Sequence, residues 1–267
     1  MSNRPVRVLG ILGCSYCGST ITETVLNTHP RMTSLGEVYH VVEEWHAKHL
    51  DEGRWDLRCR DCGDDCEVYP SSEYPLSYAD VHRLPFERSQ KLLSWVVDAS
   101  KVPAYFLKAE VTPSADQYRY VVMAKRPEAA AASFKKYGVD GPGHIMQGYL
   151  YFYERVLEMF AAGKREYIML PYDELVANPD HSFRRIIDLL NHGESEGSRL
   201  GYTFGTEVEP AHRFFGNTAA LQAGTVEIRR SNSWQGVDHG VTDHQLQRMW
   251  DVYCRVLALR MTETKGR

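Results

Sequence analysis

The sequence has no stretch of about 20 apolar residues, the length a helix needs to cross a bilayer, so no membrane-spanning enzyme is expected. Nor does it carry a long run of one charge sign: 31 basic residues stand against 35 acidic ones, for a formal net charge of −4. A general nucleic-acid binder, or a protein held on an anionic membrane, needs a basic excess that is missing here. Internal repeats and low-complexity segments are absent too, and a single domain spanning 1–267 is the expectation. The first residues, "MSNRPVRVLGIL", enter a strand-like run at once. They lack the long apolar region and small-residue cleavage site of a secretory signal, so a cytoplasmic enzyme is expected. In a reducing compartment the six cysteines do not form a disulfide framework.

Three of those cysteines cluster in "CRDCGDDC" as Cys59, Cys62 and Cys66. Their spacing suits zinc, but a second CxxC pair is missing. His46 or His49 would have to complete such a site, and the expectation is a turn without metal. Elsewhere the chain alternates. "RVLGIL" (7–12) reads as a short buried strand and "STITETVLNTHP" (19–30) as a helix closed by Pro30. From about 41 to 95 the pattern loosens: "VVEEWHAKHL" is helical, "YPSSEYPLSY" reads as loop, and "ERSQKLLSWVVDASK" resumes with a helix and a short strand. That section suits an insertion or lid over a substrate site. "QYRYVVMAK" and "EYIMLPY" are further strands, each followed by helical segments, and "HQLQRMWDVYCRVLALRM" is a last helix. Strands alternating with helices predict an α/β fold: a central parallel sheet flanked by helices on both faces.

The stretch with most chemistry is "GCSYCGST", Gly13–Thr20, between the first strand and the first helix. It follows the phosphate-loop pattern G-x-x-x-x-G-K-[ST], except that Ser19 stands where the lysine belongs. Glycines and a helix start without the lysine leave a cradle of backbone N–H groups for an anion. That cradle suits a group less charged than a terminal phosphate, such as a 5′-phosphosulfate.

"ILGCSYCGSTITETVLNTHPRMTSLGEVYHV" resembles the 5′-phosphosulfate loop of the sulfotransferase family, which uses 3′-phosphoadenosine 5′-phosphosulfate (PAPS). Gly18–Thr20, His29–Pro30 and Gly36–Glu37 match its motifs in order. The resemblance implies a P-loop NTPase-like sulfotransferase fold, with PAPS as co-substrate, 3′-phosphoadenosine 5′-phosphate (PAP) as product, and no metal. It places Cys14, Ser15, Tyr16, Cys17, Gly18, Ser19 and Thr20 around the 5′ end. "VVMAKRPEAAAASF" is similar to the 3′-phosphate segment, with Lys125 at the position of the family's arginine and Ser133 eight residues on; the neighbouring Arg126 is an alternative donor. Tyr172, in "YIMLPYDEL", would lie near the adenosine. "VVDASK" resembles a stretch of bacterial members, giving Asp98, Ser100 and Lys101. "HRFFGNTAALQAGTVEIRRSNSW" resembles their C-terminal segment, giving His212, Gly216, Asn217 and Trp234. Many members carry a basic residue just after that Gly-Asn; Ala219 or Ala220 stands there, and Arg229 and Arg230 are the nearest replacements. Many also carry a cation two residues before the loop's second glycine. Tyr16 stands there, leaving the role to Lys101, Lys108 or Arg126.

By the same resemblance Glu37 is the base that takes the acceptor's proton, with His40 three residues on as the reserve. The acceptor is a small molecule or glycan bearing a hydroxyl or amine, and neither nucleic acid nor membrane is an expected partner. Two other readings compete. A P-loop kinase would need the loop lysine and a metal-binding carboxylate at a strand end, for which only "WVVDAS" offers a candidate. A nucleotide-binding protein without turnover would keep the pocket and tolerate Tyr16 and Lys125.

Overall fold

The computed structural model describes residues 5–52, 57–112, 114–139, 141–205, 207–208, 211–214, 225, 228, 234–236 and 238–264. Five strands form its sheet: β1 (Arg7–Leu12), β2 (Met32–Gly36), β3 (Trp95–Lys101), β4 (Gln117–Ala124) and β5 (Glu166–Pro171). Their order is β2-β3-β1-β4-β5 and every pairing is parallel. All seven residues of β3 are buried, as expected when helices cover both faces of a sheet.

Among the described residues the α-helices are α1 (Ser19–Asn27), α2 (Glu43–Glu52), α3 (Tyr78–Arg88), α4 (Pro103–Val111), α5 (Pro127–Lys136), α6 (Pro142–Ala161), α7 (Tyr172–Ala177), α8 (Pro179–Asn191) and α9 (Asp243–Ala258). Four of them open on proline: Pro103, Pro127, Pro142 and Pro179. There the missing N–H costs nothing and the fixed φ suits the first turn. Thr242 and Gln245 close a capping box at the start of α9. Among the described residues, no helix is long and apolar enough to cross a membrane.

The structure corrects the sequence reading in three places. β2 was not expected, because Thr33 and Ser34 interrupt its apolar pattern. Both are buried, and α1 supplies their partners: Asn27 Oδ1 accepts from the Ser34 N–H at 3.0 Å, and Glu23 accepts from the Ser34 hydroxyl at 2.6 Å. A helix lies at 78–88, not after 87 as the pattern suggested, and it contains Pro85. Pro85 leaves the carbonyl of Val81 without its helical donor; the buried Tyr69 hydroxyl donates to that carbonyl instead. The third addition is α4, which begins directly after β3.

Candidate active site

A parallel sheet brings the carboxyl ends of its strands to one edge, where the connecting loops gather. Here that edge collects Glu37 after β2, Lys101 at the end of β3, the Gly13–Gly18 loop after β1, Lys125 after β4 and Tyr172 after β5. Sequence neighbours do not explain this grouping; the strand order does.

The loop's glycines are required by shape. A Cβ on Gly13 would lie 2.7 Å from the Met123 carbonyl oxygen, and one on Gly18 would lie 2.7 Å from the Tyr172 ring. Gly18 also sits at φ 101, a left-handed conformation, as the cap of α1. That cap has no side-chain hydrogen bond, and the first turn of α1 has no acidic residue. The start of α1 thus carries no capping side chain and no acidic residue of its own, which fits an anionic group. Cys14 and Cys17 are fully buried, so their side chains face the core and only their main chain can serve a ligand. Burial pushes the Cys14 thiol up to about 12 and also raises Cys17. Ser19, in the lysine's place, is buried as well, while Ser15 and Thr20 are partly exposed.

On the β2–β3 side, Glu37 forms an ion pair with Lys101. The Lys101 side chain is 7% exposed and that of Glu37 20%, so the carboxylate is the more accessible member of the pair. Lys101 adopts φ 64, a left-handed conformation that costs a non-glycine residue on the order of 1–3 kcal/mol and clusters at functional sites. The preceding residues hold it there: the Ser100 N–H donates to Asp98 at 2.9 Å, and the Ser100 hydroxyl accepts from the Tyr39 N–H at 3.2 Å. Burial alone would raise the Glu37 carboxyl, but the Lys101 ammonium that donates to it and the nearby His40 outweigh it and hold the group below its usual range. Burial likewise works against the Lys101 charge, and Glu37 overcomes it, leaving that pKa raised. His40 lies 3.8 Å from the other Glu37 oxygen with a side chain only 3% exposed. It sits behind Glu37 and not in the cleft.

Behind the same residues, Glu23 on α1 is 1% exposed, and burial raises its carboxyl to about 7. Its side chain projects away from the Ile21 and Val25 side of α1, so no helical pattern in the sequence singles it out.

On the β4–β5 side, the Lys125 ammonium donates to the Tyr16 carbonyl and to the Ser133 hydroxyl, both at 2.8 Å. It also lies over the Tyr172 ring, 5.3 Å from its centre. Burial lowers its pKa, so a nearby anion would stabilise its charge. The expected trio of Lys125, Ser133 and Tyr172 is thus brought together. Arg126 next door is half exposed and pairs with Asp173. The Tyr16 ring stacks on Tyr137, with centres 4.5 Å apart. Of the three candidate replacement cations, Lys108 is exposed and pairs with Glu44. Lys101 is buried beside Glu37 at the end of β3, on the edge where the loop lies.

Asp98, the kinase reading's candidate metal ligand, is fully buried. One oxygen accepts from His82 at 2.8 Å and from the Tyr105 hydroxyl at 2.9 Å, and the other takes the Ser100 N–H. Both oxygens serve the fold.

A residue the sequence reading passed over completes the site. Phe214 lies along the free edge of β2: its N–H donates to Leu35 O at 3.0 Å, and its carbonyl accepts from the Glu37 N–H at 2.6 Å. Gly36, at φ 62, permits this; a Cβ there would fall 2.2 Å from the Phe214 oxygen. Two residues earlier, His212 joins Cys59, Cys62 and Cys66. Neither expected histidine does so among the described side chains: the His46 ring packs against Tyr74, and the side chain of His49 lies outside them. Gly216, Asn217, Ala219, Ala220, Arg229 and Arg230 also fall outside the described residues. Trp234 is described; its carbonyl oxygen is 2.9 Å from His239 Nε2.

A family model described as "Sulfotransferase family" matches residues 9–193, well over half of the chain. Among solved structures, the sulfotransferase domain from the curacin biosynthetic pathway is similar with a TM-score of 0.62 at 17% identity, over 93% of this chain and 98% of that one. The sulfotransferase domain of the Synechococcus PCC 7002 olefin synthase gives 0.60 at 17%, over 94% and 95%. Sulfotransferase STF9 from Mycobacterium avium gives 0.53 at 15%, over 99% and 80%. No curated protein sequence matches the chain.

Proposed function

The chain belongs to the sulfotransferase family, and from that premise we propose that it moves a sulfuryl group from PAPS to a hydroxyl or amine of a small-molecule or glycan acceptor, releasing PAP. The observation that carries this reading is the Glu37–Lys101 pair at the mouth of a lysine-free loop. It sets a carboxylate base and a fixed cation side by side at the end of the anion cradle. In the bound state the co-substrate supplies the sulfuryl group. The loop N–H groups and the start of α1 hold its 5′ end, and Lys125 and Ser133 hold the 3′-phosphate. Tyr172 packs beside the adenosine. Lys101 replaces the cation missing at Tyr16 and offsets charge that develops on the leaving phosphate. Glu37 takes the acceptor's proton, and His40 orients it from behind.

A kinase reading needs a carboxylate for Mg²⁺, and Asp98 is committed elsewhere. Calorimetric titration separates the two: PAP should bind in the absence of Mg²⁺, and ATP should bind more weakly with or without it. Tighter, Mg²⁺-dependent ATP binding would favour the kinase. Turnover of labelled PAPS with an acceptor panel then separates an enzyme from a binding protein.

Two substitutions test the pocket. Gly18→Val should abolish PAP binding, because its side chain meets Tyr172 and its backbone loses the left-handed cap. Unchanged affinity in a folded variant would remove the loop from the site. Lys125→Ala should weaken PAP by about 1.5–3 kcal/mol, the value of a hydrogen bond to a charged group. A nucleotide lacking the 3′-phosphate should lose much less. Equal losses would mean that Lys125 serves only to tether the Tyr16 carbonyl.

A further inference from the structure

Cys59, Cys62 and Cys66 converge with His212 although His212 lies 146 residues beyond Cys66. Their three sulfurs and one nitrogen all lie within 4.8 Å of one another. His212 Nδ1 is 3.6 Å from Cys62 Sγ and 3.2 Å from Cys66 Sγ. Tetrahedral zinc, with bonds of about 2.3 Å to sulfur and about 2.0–2.1 Å to nitrogen, holds its ligand atoms roughly 3.6–3.8 Å apart. The cluster is already close to that size.

The surroundings are built for the same purpose. Gly63 turns at φ 76, and its N–H donates to the Cys59 carbonyl at 2.9 Å, folding the CxxC segment back on itself. The Tyr69 N–H points at Cys66 Sγ, 3.4 Å away, the kind of second contact that orients a metal ligand. The turn is joined to the His212 segment independently of any ion. The Arg60 N–H donates to Arg213 O at 2.8 Å, and the buried Arg213 guanidinium grips both oxygens of Asp61 at 2.8 and 3.1 Å. A disulfide would use two sulfurs and leave the third, with the histidine nitrogen, unaccounted for. Three sulfurs and one imidazole are a complete donor set for structural zinc.

We propose that Cys59, Cys62, Cys66 and His212 bind one zinc ion in a closed, structural site. Binding displaces the thiol protons to solvent, and four protein ligands leave no position for substrate. The ion fastens the 57–66 turn to the segment that carries Phe214, whose main chain pairs with Gly36 and Glu37. Its bearing on turnover rests on Glu37 being the base; the metal site itself does not.

Protein purified under reducing conditions without chelator should carry about one zinc per chain by atomic emission. Cobalt substitution in the wild-type chain should give a thiolate-to-cobalt charge-transfer band and the visible bands of tetrahedral cobalt. Cys59→Ser and His212→Ala should lose the metal, and His212→Cys should keep it. Removing zinc with a chelator should lower the melting temperature, and adding zinc back should restore it. Wild-type protein that neither carries nor takes up zinc, a mass showing two cysteines joined with loss of two hydrogens, or zinc content unchanged in both Cys59→Ser and His212→Ala would each overturn the site. Should the variants fail to fold, the wild-type metal content and cobalt spectrum still decide it. A zinc-loaded protein without sulfuryl transfer would leave the site standing and count against the functional reading alone.

Discussion

Glu37→Gln should bind PAP with unchanged affinity and turn over about 10²–10⁴ times more slowly, the usual range for losing a positioned general base. The glutamine keeps the size of the side chain and one oxygen for Lys101, so the geometry survives while the basicity is lost. The change should fall on kcat and kcat/KM together, as for an interaction made only in the transition state. Wild-type turnover should also report the carboxyl's setting. With its pKa held below the usual 4.5, Glu37 is ionised throughout the neutral range. The acid limb of kcat/KM should lie below the ordinary carboxylate region, and activity should fall only as pH drops through it. The same sign applies to stability. Whatever the pair contributes is complete above the unfolded value and is lost as pH falls through the folded one. Acceptors already ionised at the assay pH should be less affected by the substitution. If Glu37→Gln retains full turnover while His40→Ala loses it, the base is the histidine and the assignment of Glu37 is wrong.

The largest expected effect on stability lies below the site. Asp98→Ala should cost about 3–5 kcal/mol, the range for removing one member of a buried, hydrogen-bonded pair. His82 and Tyr105 would be left buried without the oxygen they both use. For a chain of this size that corresponds to a fall in melting temperature of roughly 6–20 °C. Asp98→Asn should cost less, since one oxygen remains to accept. Asp98→Ala also frees the Ser100 N–H, so the left-handed turn at Lys101 should relax. Calorimetry on both variants measures the first effect, and PAPS turnover well below the melting temperature measures the second. A shift under about 2 °C for Asp98→Ala, less than 1 kcal/mol, would show that the network does not hold β3.

What could be read in the sequence follows from how local each signal is. The Gly13–Thr20 loop, and Lys125 with Ser133 eight residues on, are each carried by one strand, one turn and one helix. Their spacing survives folding, and the structure brings them together as expected. Glu37 and Lys101 were legible only as separate candidates; their pairing depends on β2 and β3 being neighbours in the sheet. β2 itself was hidden because its polar residues are satisfied by Asn27 and Glu23 of another element, which no pattern within five residues can reveal. The helix at 78–88 was hidden by Pro85, whose loss of a donor is repaired by Tyr69 from outside the helix. The partner of the cysteines was sought among nearby histidines, whereas chain topology delivers His212 from 146 residues beyond Cys66.

The Phe214 contact with β2 also bears on the order of events during synthesis. The five strands and both ion-bearing sides of the cleft are complete once the ribosome has passed β5. Even then the main chain at Gly36–Glu37 still lacks the segment that seals its edge. A nascent chain stopped near residue 200 would lack that bridge and leave the end of β2 unpaired. The left-handed bend at Gly36 thus reserves a place on the first-made half of the sheet for a segment made late. The Glu37 main chain gains its Phe214 partner only after all five strands have been synthesised.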